Sequence, residues 1–142
     1  MEPRIVSCPS CGKRNRVPVN AKGTPSCAAC KASLPWIVDA VDATYTTVAV
    51  QSPVPVLVDL WAPWCAPCRQ LSPALEQVAR DLAGKVKLVK VNVDNAPALS
   101  RRFQIKAVPT LLLVRDGTVI ARRTGAAPAP ALRKWATHEL AL

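Results

Sequence analysis

Apolar and polar positions divide the chain near residue 35. Before it, large apolar residues are sparse among Cys, Gly, Pro, Ser, Asn and Lys. After it, runs with strand and helix periods alternate. Residues 36–38, Trp-Ile-Val, read as a short strand. Residues 54–60 form the continuous apolar run of a buried strand, with Pro53 and Pro55 tolerated only at its start. Pro67 opens a helix to about residue 83, with Leu71, Leu75, Val78, Ala79 and Leu82 on one face and Gly84 at its end. Residues 86–93 read as a central strand and 98–103 as a short helix. Residues 111–114 and 119–123 are strands around an Asp116-Gly117 hairpin turn. A final helix over 130–140 presents Leu132, Trp135, Ala136 and Leu140. Residues 42–50 stay open, because Thr and Val favour a strand while Asp42 can cap a helix. The order β-α-β-α-β-α-β-β-α predicts an α/β fold with a mixed sheet flanked by helices.

The chain has 142 residues, half of them hydrophobic and 20% charged. That suits one modest domain, 36–142, with a short extra module, 1–35. No run approaches the roughly 18 apolar residues that span a bilayer. The N-terminal stretch MEPRIVSCPSCG has no apolar core of a secretory signal, so a cytoplasmic location and no membrane partner are expected. In a reducing compartment, paired cysteines serve as metal ligands or redox catalysts more often than as structural staples. The formal net charge is +10. Residues 1–35 hold half of it, which makes that module far more basic per residue. Its loop Lys13-Arg14-Asn15-Arg16 has no aromatic residue for base stacking, and no nucleic-acid partner is expected. The protein is expected to be a monomer.

Six cysteines form three Cys-x-x-Cys pairs: Cys8/Cys11, Cys27/Cys30 and Cys65/Cys68. The first two fit a four-thiolate zinc site, with two close pairs separated by fifteen residues. A saturated site has no open position, so one structural zinc per chain is expected, standing in for the core that so short a module lacks. Two disulfides are the alternative, disfavoured by the compartment. The third pair ends an apolar strand and begins a helix. There a dithiol can reduce a target disulfide in two steps, attack by one thiolate and resolution by the other. The helix start stabilises the first sulfur as thiolate, making Cys65 the attacker and Cys68 the resolver. Trp64 and Pro67 stiffen the motif. A zinc half-site at Cys65/Cys68 is the competing reading, weakened because the N-terminal pairs complete each other.

The stretch Val58-Asp59-Leu60-Trp61-Ala62-Pro63-Trp64-Cys65-Ala66-Pro67-Cys68 resembles the active-site signature of the thioredoxins. The likeness continues through Pro73, Lys90 within Val89–Asp94, Val108-Pro109-Thr110-Leu111, Asp116-Gly117 and Thr124-Gly125. The cysteine-rich arm resembles that of the zinc-binding, second type of bacterial thioredoxin. The resemblance implies a five-stranded thioredoxin fold, no bound organic cofactor, disulfide-containing protein substrates, and electrons from NADPH through thioredoxin reductase. It also implies a cis Val108-Pro109 peptide opposite the cysteines, with Trp64, Ala66, Pro67, Val108 and Pro109 meeting the substrate. One departure is Ala66, where the family usually has Gly. Ala66 adds no charge or donor, so a small change in potential or target fit is expected.

Asp59 and Lys90 complete the candidate catalytic set with Cys65 and Cys68. A carboxylate ending an apolar strand is expected to be buried, with a raised pKa, and to exchange a proton through water as Cys68 becomes a nucleophile. Lys90, on the neighbouring strand, is expected to pair with Asp59 and tune it. Three functions remain in view: a general disulfide reductase, an oxidase or isomerase on the same fold, and a binding module acting through the arm.

Overall fold

The computed structural model describes residues 3–142. Met1 and Glu2 of the expected arm lie outside them. Five strands form the main sheet: β3 (Trp36–Asp39), β4 (Val56–Trp61), β5 (Lys87–Asn92), β6 (Thr110–Arg115) and β7 (Thr118–Thr124). Their spatial order is β3-β5-β4-β6-β7. β3 and β4 run parallel to β5, while β6 is antiparallel to β4 and β7 to β6. The expected mixed sheet is therefore the fold. Its helices are α1 (Ala66–Asp81), α2 (Pro97–Arg102) and α3 (Ala129–Glu139). The open segment 42–50 becomes a turn and a single π-helical turn, Thr46–Val50. The strand reading does not hold there, although Val48 and Ala49 are buried; Asp42 does cap a helix, but a distant one, its carboxylate accepting the N–H groups of Ala98 and Leu99 at the start of α2.

Strand alternation sends side chains to two cores. Val56, Val58 and Leu60 of β4 face one, with Val89 and Val91 of β5. Leu57 of β4 and Leu88 of β5 face the other, under α1 and α3, where Leu71, Leu75, Val78, Leu132 and Ala136 meet them. Asp59 follows Leu57 by two residues and so points toward α1. Its register partner on β5 is Lys90.

The N-terminal arm adds a two-stranded sheet, β1 (Arg4–Ser7) with β2 (Arg14–Val17). Val17, Leu34, Cys8 and Cys27 are buried in one cluster with Trp36, Val38 and Tyr45. The apolar contact thus runs unbroken across residues 35 and 36. Three polar contacts reinforce it. The Trp36 indole donates to the Pro18 carbonyl at 2.8 Å, and Arg4 pairs with Asp39 at 2.9 Å. Lys87, fully buried, donates to the Val19 and Val48 carbonyls with its ammonium 4.1 Å from the Trp36 ring centre. Burial pushes the Lys87 ammonium down to about 8. Gly84, past the end of α1, has φ +82, and a Cβ there would lie 2.7 Å from Ser33 Oγ. The arm therefore lies close against the domain.

Candidate active site and metal centre

β4 delivers Cys65 to the start of α1. Cys65 is the N-cap, Pro67 occupies the first turn, and the Cys68 backbone N–H points at Cys65 Sγ from 3.2 Å. The two sulfurs are joined as a disulfide, with Cα atoms 5.3 Å apart. When that bond opens, the amide and the helix start stabilise negative charge on Cys65. Cys65 and Cys68 are 5% and 4% exposed, so the sulfurs lie just beneath the surface. Trp64 stands beside them, 68% exposed, its indole N–H 3.3 Å from Asp94 Oδ1. Ala66 and Pro67 are also exposed. The Val108-Pro109 peptide is cis, and the Val108 carbonyl oxygen lies 3.6 Å from Cys65 Sγ. Trp64 and Val108, with Ile105 and Lys106, line a groove of about 250 Å3 next to the sulfurs. Pro109 is buried behind it.

On the inner side, Asp59, Trp61, Cys68, Arg69, Ser72 and Lys90 line a cleft of about 190 Å3. Asp59 is 2% exposed, and neither its Oδ1 nor the Trp61 Nε1 has a hydrogen-bond partner among the described residues. Two buried polar atoms without protein partners in a polar cleft of this size call for water. Burial pushes the Asp59 carboxyl up to about 6, with the nearby Lys90 charge opposing the shift. The expected ion pair between them does not form among the described residues. Lys90 donates instead to Ser72 Oγ at 2.7 Å. The arrangement can move a proton between Cys68 and Asp59 across the cleft while the sulfurs exchange a covalent bond.

The four remaining cysteines converge. The sulfurs of Cys8, Cys11, Cys27 and Cys30 all lie within 4.8 Å of one another, and the cluster can hold a metal ion. Each pair sits on a matching backbone reversal. Cys8 N–H donates to the Lys13 carbonyl and Gly12 N–H to the Cys8 carbonyl; Cys27 N–H donates to Ala32 and Lys31 N–H to Cys27. Gly12 and Lys31 hold equivalent positions at φ 78 and 68. Two sulfur pairs run between the reversals, Cys8 with Cys30 and Cys11 with Cys27, each at 3.6 Å. The Cys30 and Ala29 backbone N–H groups outweigh burial and draw Cys27 down to about 6. For Cys11 the Lys13 N–H pulls downward, but the Cys27 sulfur, burial and the other two sulfurs override it and push the thiol up to about 12. Four sulfurs this close cannot all be anionic without a cation among them.

Two residues outside the expected set join these sites, and a third, Lys87, joins the arm to the domain. Asn15 donates to Cys27 Sγ at 3.5 Å and accepts the Ala28 N–H. Its signal in the sequence is a polar residue at an inward position of β2, two before Val17. Ser72 lies four residues after Cys68, on the same helix face. Lys87 alternates with apolar neighbours in a buried strand, where its type alone marks it.

A family model described as Thioredoxin matches residues 37–138. The Thioredoxin of Haemophilus influenzae is 42% identical over 99 residues, covering 70% of this chain and 92% of that protein. Thioredoxin 1 of Synechococcus elongatus is 41% identical over 87 residues, 61% of this chain and 81% of that one. Thioredoxin C-3 of Corynebacterium nephridii is 35% identical over 139 residues, 96% of this chain and 95% of that protein. That last likeness extends through the arm.

Proposed function

The chain belongs to the thioredoxin family, and from that membership we propose that this thiol–disulfide oxidoreductase works as a reductase of cytosolic protein disulfides, recharged by thioredoxin reductase. The observation that carries the reading is the Cys65–Cys68 pair at a strand-to-helix junction, with an amide aimed at Cys65 Sγ. The Cys65 thiolate attacks a target disulfide. A new S–S bond joins Cys65 to one target sulfur, and the other leaves as a thiolate that takes up a proton. Cys68 then loses its proton to Asp59 through water and attacks Cys65 Sγ. The mixed disulfide breaks, the second target sulfur departs and is protonated, and the protein is left oxidised. The target gains two electrons and two protons, and the reductase restores both. Lys90 tunes the carboxylate. Trp64, Ala66, Pro67 and Val108 form the surface on which the target strand lies, with the buried Pro109 backing it, a role supported by the groove that Trp64 and Val108 line beside the sulfurs.

Residues 1–35 are the metal-binding arm and 36–142 the redox domain. The metal is zinc: a tetrahedron of sulfurs at about 2.3 Å from zinc has edges near 3.8 Å, and the two 3.6 Å separations support that fit. Its four ligands would be Cys8, Cys11, Cys27 and Cys30, and its contribution is structural. No described helix is long and apolar enough to cross a membrane; a cytoplasmic monomer without nucleic-acid or membrane partners is the simplest setting for this chemistry.

The test is insulin reduction with NADPH and a bacterial thioredoxin reductase. NADPH consumption that depends on this protein and disappears in Cys65→Ser is expected. Failure to reduce insulin, with ready oxidation of dithiol peptides instead, overturns the reductive direction.

A further inference from the structure

Lys90 is the charge nearest to the proton route, and its ammonium is already engaged. It donates to Ser72 Oγ at 2.7 Å, while Asp59 Oδ1 has no partner among the described residues. The two residues face each other in register on adjacent parallel strands, so an ion pair is within the reach of a lysine side chain. What holds the ammonium aside is a hydroxyl from α1, one helical turn beyond Cys68. The other groups facing Asp59 cannot do this. Trp61 on its own strand carries a donor only. Leu111, its register partner on β6, is apolar. The Arg69 guanidinium donates to the Pro63 carbonyl at 2.8 Å.

We propose that Ser72 is a positioning residue of the dithiol reaction: by accepting the Lys90 hydrogen bond it keeps the ammonium off Asp59 and leaves that carboxylate free to exchange a proton with Cys68. This rests on the reductase reading above, in which Asp59 accepts the Cys68 proton. With the hydroxyl in place, Lys90 contributes a field across the cleft without capturing the carboxylate. With it gone, the ammonium has a single strong acceptor to turn to. A carboxylate in a direct ion pair is a weaker base and is sterically closed to water on that side. Ser72 therefore acts through Lys90.

The experiment follows the Asp59 carboxyl by carbon NMR against pH in the dithiol form, beside single-turnover resolution of a mixed disulfide over the same range. In Ser72→Ala, the carboxyl midpoint is expected to fall by about one unit as the ammonium closes in, and the acid limb of the resolution rate to fall with it. Ser72→Thr keeps the hydroxyl and should restore both. In a Lys90→Met background, adding Ser72→Ala should change neither. A carboxyl midpoint unmoved by Ser72→Ala overturns the proposal and leaves the reductase reading intact. A midpoint that moves while the rate profile stays removes Asp59 as the proton acceptor, and the positioning role with it. If the wild-type protein reduces nothing, the functional reading falls, and the titration still decides whether Ser72 holds Lys90 away.

Discussion

Cys8-Pro9-Ser10-Cys11 and Cys65-Ala66-Pro67-Cys68 share a spacing and differ in the backbone around it. In the arm, the chain turns back on itself after the second cysteine through a left-handed residue, Gly12 or Lys31. That reversal brings four sulfurs together, all within 4.8 Å of one another, where a metal ion can bridge them. After Cys65 the chain instead continues as α1, which brings the two sulfurs of one motif together and presents them to a groove. The neighbours differ too. An amide side chain, Asn15, supports the cluster, whereas a buried carboxylate stands behind the dithiol. Spacing alone selects neither chemistry. The turn that follows the pair, and the group behind it, select between them.

The sharpest break of this comparison exchanges the roles of the two motifs. Cys65→Ser should abolish disulfide reduction, and Cys68→Ser should trap mixed disulfides with targets, while both keep the metal. Metal analysis of these variants that found it lost, with Cys8→Ser retaining it, would reverse the assignment. Next in size, Cys27→Ser should release the metal and lower the melting temperature by on the order of 10 °C, because binding energy at such a site is folding energy. Insulin reduction should largely persist at temperatures where the protein stays folded. Zinc content by atomic emission and calorimetry check this.

A smaller effect belongs to Asp59→Asn. The Asp59 carboxyl is raised to about 6 in the folded protein from an ordinary 3.8. Ionised and buried, it costs about 3 kcal/mol once the pH exceeds 6. The penalty fades as pH falls and is absent below about 4, where folded and unfolded carboxyls are both protonated. The Asn variant should therefore be more stable than wild type by about that amount at pH 7, with no advantage at pH 3.5, and slower in resolution. Denaturant melts at the two pH values measure it. The smallest effect sharpens the likeness of the two reversals. Lys31→Gly relieves a left-handed non-glycine residue and should stabilise the arm by on the order of 1 kcal/mol, seen as a higher denaturation midpoint at unchanged metal content.

Apart from 42–50, the elements of residues 36–142 were legible because each carries one clear period. The strand at β4, the amphipathic face of α1 and the Asp116-Gly117 hairpin turn fall within a residue or two of the pattern. The cysteines could be sorted because their surroundings differ in apolar content. Less legible was anything that depends on how the arm meets the domain. Val17 and Leu34 are too few to announce a core of their own, and they have none; they complete a core that includes residues of β3, β4, β5 and β6. The partner of Lys90 was hidden for a related reason. Strand adjacency pointed to Asp59, but the competing hydroxyl sits on a helix, and its reach is set by three-dimensional packing.

Lys87 carries a consequence for anyone who would move these modules between proteins. Its ammonium sits under the arm with one acceptor on each side of the seam, Val19 from the arm and Val48 from the domain. A domain trimmed to begin at Trp36 would keep the lysine and lose half of its cradle, along with the carbonyl that receives the Trp36 indole. A chimera that grafts the arm onto another scaffold would bring a carbonyl in search of a donor. Transplantation is thus a three-part operation, in which arm, tryptophan and lysine travel together or are replaced together.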